Sequence, residues 1–260
     1  MLIVMINTIK MSDRRAGILD SLRRRGRLGV GELARICRCS SPTIRRELCQ
    51  LEAEGKIIRT HGGCLVADNV GLEGIWQERL KRRGREKQKI AKLAAKRVYD
   101  GQVVLLDTGS TVFHVIDYLA DRKKLTIVTN FPPLLSRLDG REDWKILMLG
   151  GTLRPGRYDL VGPLTERTME DISADVAFVG ADGISLSGPA SDDEEVCRIA
   201  RMMVQSAKEK IVLADASKLA RRATFRYAPW GRIDCLITDK KAEGNFVKSL
   251  RRKGLVVHLT

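Results

Sequence analysis

The stretch SSPTIRRELCQLEAEG, residues 40–55, sets two adjacent arginines on a helical pattern behind a Ser-Ser-Pro-Thr entry. Ser40 or Ser41 supplies the N-cap, and Pro42 fits the first turn, where its missing N–H goes unused. Ile44, Leu48 and Leu51 stand at i, i+4 and i+7, so they share one buried face. Thr43, Arg45, Arg46, Glu47 and Gln50 fall outside that stripe. Such a helix is either a solvated surface element with a good cap or an element built to enter a nucleic-acid groove. The flanking sequence chooses between the two.

Upstream, SDRRAGILDSLRRRG (residues 12–26) has Ser12 as N-cap, an apolar stripe of Ile18, Leu19 and Leu22, and Gly26 as a stop. VGELARICR (residues 30–38) is a short second helix with Leu33, Ala34 and Cys37 inward, and CSSP is the turn into the third. Downstream, GKIIRTHGG predicts a strand and a tight turn at Gly62-Gly63, and CLVAD a return strand. That hairpin makes a wing with Arg59 and His61 set near a DNA backbone or minor groove. Short helix, tight turn, second helix is helix-turn-helix spacing. It places the first turns of the last helix in the major groove, where arginine pairs with guanine edges or phosphates.

The bulk numbers agree. The 260 residues allow one large domain or a small one with a medium one. A hydrophobic content of 43% is that of a globular chain. Lys and Arg number 47 against 32 acids, a formal charge of +15, which suggests a polyanionic partner. Six cysteines are scattered, and the Cys37/Cys39 pair lacks the spacing of a zinc or redox site, so they read as reduced, buried thiols with no metal. No apolar run reaches membrane-span length. The apolar opening MLIVMINTIK is followed by no small-residue cleavage site, which argues against a signal peptide. The helical pattern begins just after Met11, which makes Met5 and Met11 alternative starts. The expected location is the cytoplasm, with no membrane contact.

Beyond residue 100 short apolar runs alternate with amphipathic segments. QVVLLD, LTIVTN, KILMLGG, VAFVGADGI, KIVLAD, CLITD and LVVHLT have strand length, while TVFHVIDYLA, PPLLSRLDG, EEVCRIARMMVQSAKE and NFVKSLRRKG have helical periodicity. This alternation predicts a largely parallel sheet covered on both faces. The domain reading is 11–66 for the helix-turn-helix unit, 67–84 for a linker, and 85–258 for a Rossmann-like α/β domain, giving an α/β fold class overall.

Within that domain VVLLDTGSTVFHVIDYL is a strand, a small-residue loop and a helix. Gly109 lets the chain turn, Thr108, Ser110 and Thr111 offer hydroxyls, and the helix start offers free N–H groups, a constellation suited to an anion and also to an ordinary cap. Other strand ends carry Thr129-Asn130, Gly150-Gly151 with Arg154 beyond, Asp182-Gly183, and Asp215 with Lys218. Parallel sheets bind ligands at the carboxyl ends of their strands. Lys218 and Arg154 are the cations that could neutralise an anion there.

The run from Arg14 to Gly63 resembles the winged helix-turn-helix of the DeoR family of bacterial transcriptional regulators, with T-I-R-R-E-L, L-E-x-E-G and R-x-H-G-G in the family's order and spacing. The resemblance implies that Ser40, Ser41, Thr43, Arg45 and Arg46 face DNA and that Arg59 and His61 lie in the wing. The order LDTGST, TN, LGGTLR, VGP, ADVAFVGADGI, ADASK, ITD is similar to the same family's sensor domain, which is related in fold to ribose-5-phosphate isomerase and binds phosphorylated sugars. It implies an effector site at Asp107, Thr108, Gly109, Ser110, Thr111, Thr129, Asn130, Gly150, Gly151, Asp182 and Lys218, with Arg154 a looser member. The family often has Asp at the position of Glu47 and an aromatic at that of Leu219, and the turn SLSGPASDDEE is unusually acidic and holds a proline.

Three functions compete for these residues. The first is a repressor of sugar or carbohydrate metabolism genes, released from a double-stranded operator by a phosphorylated sugar. It would act as a homo-oligomer, dimer or tetramer, with the segment from Trp76 to Lys89 passing the signal. The second is a sugar-phosphate isomerase with a DNA-binding appendage. Asp182 and Glu194 or Glu195 are its candidate carboxylates, but the loop expected after G-A-D has no counterpart. The third is a DNA-binding protein whose C-terminal domain only oligomerises. The intact DTGST favours the first, with no catalytic residues and no cofactor.

Overall fold

The computed structural model describes residues 14–22, 24–25, 27–53, 56–60, 63–66, 72–138, 140–154, 157–242 and 244–260. They divide into two units, Met1–Arg79 and Leu80–Thr260. The expected N-cap Ser12 lies outside the described residues, as does His61.

In the first unit, helix α1 covers residues 14–22. It is followed by α2 (Val30–Ile36), α3 (Ser41–Ala53) and the antiparallel strands β1 (Ile57–Thr60) and β2 (Gly63–Val66). The apolar stripes meet as their periodicity predicts, with Ile18, Leu22, Leu33, Ile44, Leu48 and Leu51 all at most 1% exposed. Leu28 adds a third short rung to the hairpin: Cys64 N–H donates to Leu28 O at 2.8 Å, and Leu28 N–H to Cys64 O at 3.1 Å. The close approach explains Gly63, whose φ is +154° and where a Cβ would lie 2.4 Å from Leu28 O.

Three expectations about this region change. Glu47 is buried rather than outward, and it receives Arg15 at 2.8 Å and Arg14 at 3.3 Å from α1. At i+3 from Ile44 it borders the buried stripe, and two arginines compensate its charge there. Gly63, expected in the wing turn, is the first residue of the return strand and pairs with Thr60; Gly62 lies outside the described residues. Helix α4 (Leu72–Lys81) occupies most of the span read as a linker.

The second unit opens with α5 (Gly84–Ala95), entered through Arg83 at φ +56°. The strands of its main sheet are β3 (Val103–Leu106), β4 (Thr126–Thr129), β5 (Lys145–Met148), β8 (Ala174–Val179), β11 (Ala207–Leu213), β13 (Cys235–Thr238) and β14 (Val256–Leu259). Every pairing is parallel, and the spatial order is β14-β13-β11-β8-β3-β4-β5. The chain runs outward from β3 to β5, then crosses back to lay β8 on the other side of β3. This is the doubly wound order, and its switch point lies between β3 and β8. The strands flanking that point, VVLL and ADVAFV, are nearly continuous apolar runs, as burial on both faces requires.

Several connecting elements were not legible. TVFHVIDYLA forms only the four-residue α6 (Ser110–Phe113) and a 3-10 turn, His114–Tyr118. PPLLSRLDG forms a 3-10 turn, Pro132–Arg137, with prolines at its first two positions, where their missing donors go unused. A small β6–β7 ribbon (Thr152–Leu153, Leu160–Val161) precedes α7 (Pro163–Glu170). The acidic turn contains β9 (Gly183–Ser185) and β10 (Gly188–Ser191), which join β12 (Phe225–Arg226) in a second sheet. α8 (Glu194–Ser206) runs directly into β11, and α9 (Asn245–Arg252) precedes β14. The cysteines are all free, but only Cys64, Cys197 and Cys235 are buried; Cys37 and Cys39 are half-buried and Cys49 is exposed. Among the described residues no group of side chains could hold a metal ion, and no helix is long and apolar enough to cross a membrane.

Candidate functional site

The first candidate surface is the outer side of α3. Its N-cap is Ser40: the Thr43 N–H donates to Ser40 Oγ at 3.4 Å, and the two hydroxyls share a hydrogen bond of 2.8 Å. The Ile44 N–H donates to Ser40 O at 3.1 Å. Ser41 is then the first helical residue. Arg45 and Arg46 are exposed, and Ser41 and Thr43 are half-buried. The helix is thus held by its buried stripe and by Glu47, while its first turn and arginines point outward. The preceding turn passes through Arg38 at φ +49°, a left-handed conformation that ends α2 sharply. Arg59 lies on β1 opposite Cys64, which puts it one residue before the end of the wing strand.

The second candidate site lies at the carboxyl ends of the parallel strands, where all the sequence-predicted effector residues fall. Asp107 follows β3 directly and is 3% exposed. Its Oδ2 accepts the Gly180 N–H at 2.8 Å, and Gly180 follows β8, so this bond crosses the switch point. Burial pushes the Asp107 carboxyl up to about 7; the Gly180 and Thr108 amides oppose the shift, and the nearby Asp159 and Asp182 add to it. Asp107 Oδ1 has no hydrogen-bond partner among the described residues. Tyr227 packs against the same point, donating to Gly180 O at 2.7 Å. Burial raises the Tyr227 phenol well above its usual value, and Asp107 and Asp182 reinforce this.

Gly109 turns the loop at φ +125°, and Ser110 and Thr111 are buried at the start of α6. The Thr129 hydroxyl is committed to the backbone, donating to Leu106 O at 2.7 Å and accepting from Phe131 N–H at 3.2 Å. Asn130 donates through Nδ2 to Leu160 O at 2.8 Å, while its buried Oδ1 has no partner among the described residues. Gly150 and Gly151 meet α7: Thr165 Oγ1 donates to Gly150 O at 2.6 Å, and a Cβ on Gly151 (φ +147°) would lie 2.1 Å from that hydroxyl. Asp182 Oδ2 accepts from Ser191 Oγ and from the Asp192 N–H, both at 3.1 Å, and Lys218 Nζ stands 4.0 Å from Asp182 Oδ1.

Arg154 is placed differently from the loose ligand cation of the sequence reading. Its Nε donates to Asp159 Oδ1 at 2.8 Å, and its other nitrogens reach Asp159 and Asp193. Burial works against its charge, but the hydrogen bond and charge of Asp159, with Asp193 and Glu195 beyond, outweigh that and hold it charged. Its field is largely cancelled by these carboxylates.

Two groups near the loop escaped the sequence reading. Lys87 is 5% exposed on α5, and its charge is felt by His114, which follows α6. Burial lowers the His114 imidazole, Asp117 opposes this, and Lys87 and Arg137 assist it; His114 Nε2 is buried with no partner among the described residues. Lys87 takes a place in an otherwise apolar stripe with Ile90, Ala91 and Ala94, and a charged residue inside that stripe is the signal that could have found it.

A model of the DeoR C terminal sensor domain matches residues 82–240, and a model of the DeoR-like helix-turn-helix domain matches residues 14–70. The HTH-type transcriptional repressor GlcR of Bacillus subtilis is 34% identical over 248 residues, covering 95% of this chain and 96% of the relative. The HTH-type transcriptional regulator GlpR of Haloferax volcanii is 34% identical over 219 residues, covering 84% of this chain and 86% of the relative. A solved D-ribose-5-phosphate isomerase, in complex with phospho-erythronic acid, aligns at 22% identity over 53% of this chain and 54% of that chain, with a TM-score of 0.39.

Proposed function

The chain belongs to the DeoR family, and from that premise we propose that it is a DNA-binding transcriptional repressor of carbohydrate genes, released by a phosphorylated sugar bound in the second unit. The observation that carries the DNA half is the exposure of Arg45 and Arg46 on a helix whose opposite face, Ile44, Leu48 and Leu51, is fully buried. In this reading Ser40, Ser41, Thr43, Arg45 and Arg46 meet the major groove, and Arg59 and His61 of the wing meet the backbone or minor groove. Two copies would grip two half-sites, and phosphate contacts would make binding fall steeply with salt.

The effector half rests on the switch-point crevice. In this reading Asp107, Thr108, Gly109, Ser110 and Thr111 meet the effector, together with Asn130, Asp182 and Lys218. Thr129, Gly150 and Gly151 shape the neighbouring strand ends. Lys218 and the buried Lys87 are the cations we assign to the phosphate. The buried acceptors Asp107 Oδ1 and Asn130 Oδ1 suit a ligand rich in hydroxyl donors. The ligand acts only through unequal affinity for two arrangements of the chain, and we assign the transmission to the segment from Trp76 to Lys89.

We read the chain as a regulator rather than an isomerase. Of the three candidate carboxylates, Asp182 accepts from Ser191 and the Asp192 amide, and Glu194 pairs with Arg198 at 2.6 Å. The boundaries we take are 11–66 for the DNA-binding domain and 85–258 for the sensor, in a cytoplasmic homo-oligomer. The test is fluorescence anisotropy on duplex DNA from upstream of the chain's own gene, with a panel of phosphosugars and their unphosphorylated forms. Tight binding released by one phosphosugar is the expected result. Binding that no phosphosugar alters would remove the sensor assignment.

A further inference from the structure

The positive charge is not confined to the DNA-binding unit. Of the 47 Lys and Arg, 33 lie in residues 80–260, against 23 of the 32 acids. The densest concentration is on and just before α5, where Lys81, Arg82, Arg85, Lys89, Lys92 and Lys96 are all exposed. α5 buries Lys87, Ile90, Ala91, Ala94 and Ala95. At 3.6 residues per turn, Arg85, Lys89, Lys92 and Lys96 fall within about 60° of arc on the opposite side and run about 16 Å along the helix. Among the described residues none of these side chains has an ion-pair or hydrogen-bond partner. Glu86, the one acid of the helix, is turned to Lys241 at 2.5 Å.

This arrangement works against the helix that bears it. Arg85/Lys89 and Lys92/Lys96 are like-charge pairs at i, i+4, and Lys89/Lys92 a pair at i, i+3, each of which weakens a helix. Arg85 in the first turn also opposes the helix dipole. A face needed only for solubility would mix signs. The exposed positions of α5 are Arg85, Gln88, Lys89 and Lys92, with no apolar side chain among them. A basic helix that lies in a lipid surface carries apolar anchors, so this face suits a row of phosphates instead.

We propose that the outer face of α5 is a second nucleic-acid contact, which binds the phosphate backbone of duplex DNA through Arg85, Lys89, Lys92 and Lys96, independently of sequence. At 3.4 Å of axis per nucleotide, about 16 Å spans about five phosphates of one strand. The proposal rests on the DNA-binding reading of the first unit and extends it: the sensor unit contributes affinity and salt dependence, while α3 contributes sequence choice.

The test uses the full chain, as wild type and as R85Q/K89Q/K92Q/K96Q, on the upstream duplex, with affinity followed by anisotropy from about 50 to about 200 mM salt. Each lost phosphate contact should reduce the slope of log K against log salt by about 0.9, so four should reduce it by up to about 3.6. Thermal melting by circular dichroism checks folding, and K92Q/K96Q, with an expected change of about half that size, serves if the quadruple variant does not fold. A variant slope equal to that of the wild type overturns the ridge. Binding of wild type to phosphatidylserine vesicles with an unchanged DNA slope overturns it in favour of a lipid surface. Failure of the wild type to bind any duplex sinks the DNA reading as a whole, and the ridge with it.

Discussion

The Asp107 carboxylate accepts the Gly180 amide hydrogen at 2.8 Å, joining the ends of β3 and β8 where the strand order reverses. The bond places a buried acid at the point where a doubly wound sheet opens its crevice.

That acid makes the sensor unit pH-sensitive. The folded-state value of about 7 lies above the ordinary carboxylate value of 3.8, so between these limits the unfolded chain holds fewer protons than the folded one. Stability therefore falls as pH rises through this window, with a slope that approaches about 1.4 kcal/mol per pH unit from this one group. Asp107→Asn should flatten the slope between roughly pH 4 and pH 7. Denaturant midpoints taken across that range check it, and parallel profiles for wild type and variant would show that Asp107 titrates normally.

Arg46→Ala should weaken operator binding by about 1–3 kcal/mol, or about 5- to 160-fold, and leave effector affinity intact. Equal operator affinity would remove α3 from the groove.

Glu47→Ala, one residue along, should behave oppositely. Its carboxylate is buried against Arg14 and Arg15, and removing it leaves two half-buried guanidiniums without their shared partner. Melting of the first unit should drop markedly, and DNA affinity should fall only through unfolding.

Lys218 and Arg154 should also separate. Lys218 is partly exposed, 4.0 Å from Asp182, and Lys218→Ala should lower phosphosugar affinity at little cost in stability, which isothermal titration would read. Arg154 is 13% exposed and engaged by Asp159 and Asp193. Arg154→Met should destabilise the unit by about 3–5 kcal/mol in urea titrations, because it strands two carboxylates.

The contrast between Glu47 and Ile44 separates what a local pattern determines from what tertiary contact determines. The stripe of Ile44, Leu48 and Leu51 is local, fixed by the helical repeat, and was legible in the sequence, as were the seven parallel strands with their apolar runs. The burial of Glu47 depends on arginines more than 30 residues away in α1, and no local pattern announces that. The same holds for Asp107, whose environment is built by Gly180 and Tyr227, and for Arg154, whose pairing with Asp193 across the fold no local pattern announces. The ribbon of β9 and β10 was hidden because GISLSGPAS is short, rich in glycine and serine, and becomes a sheet only when β12 pairs with it. Two expected helices are 3-10 turns for most of their length, and the strands they connect are undisturbed.

The strand order also dictates a timetable during synthesis. β3 is the first strand of the main sheet to leave the ribosome and ends inside that sheet, with β4 on one flank and β5 beyond β4. Its other flank has no partner until β8 is made, 67 residues after β3 ends. At about 5–20 residues per second, the nascent chain presents an apolar, unpaired strand edge for about 3–13 s. Slowing translation between Met148 and Ala174 would lengthen that interval and favour aggregation, whereas slowing it after Leu213 would expose only the edge that β13 and β14 later cover.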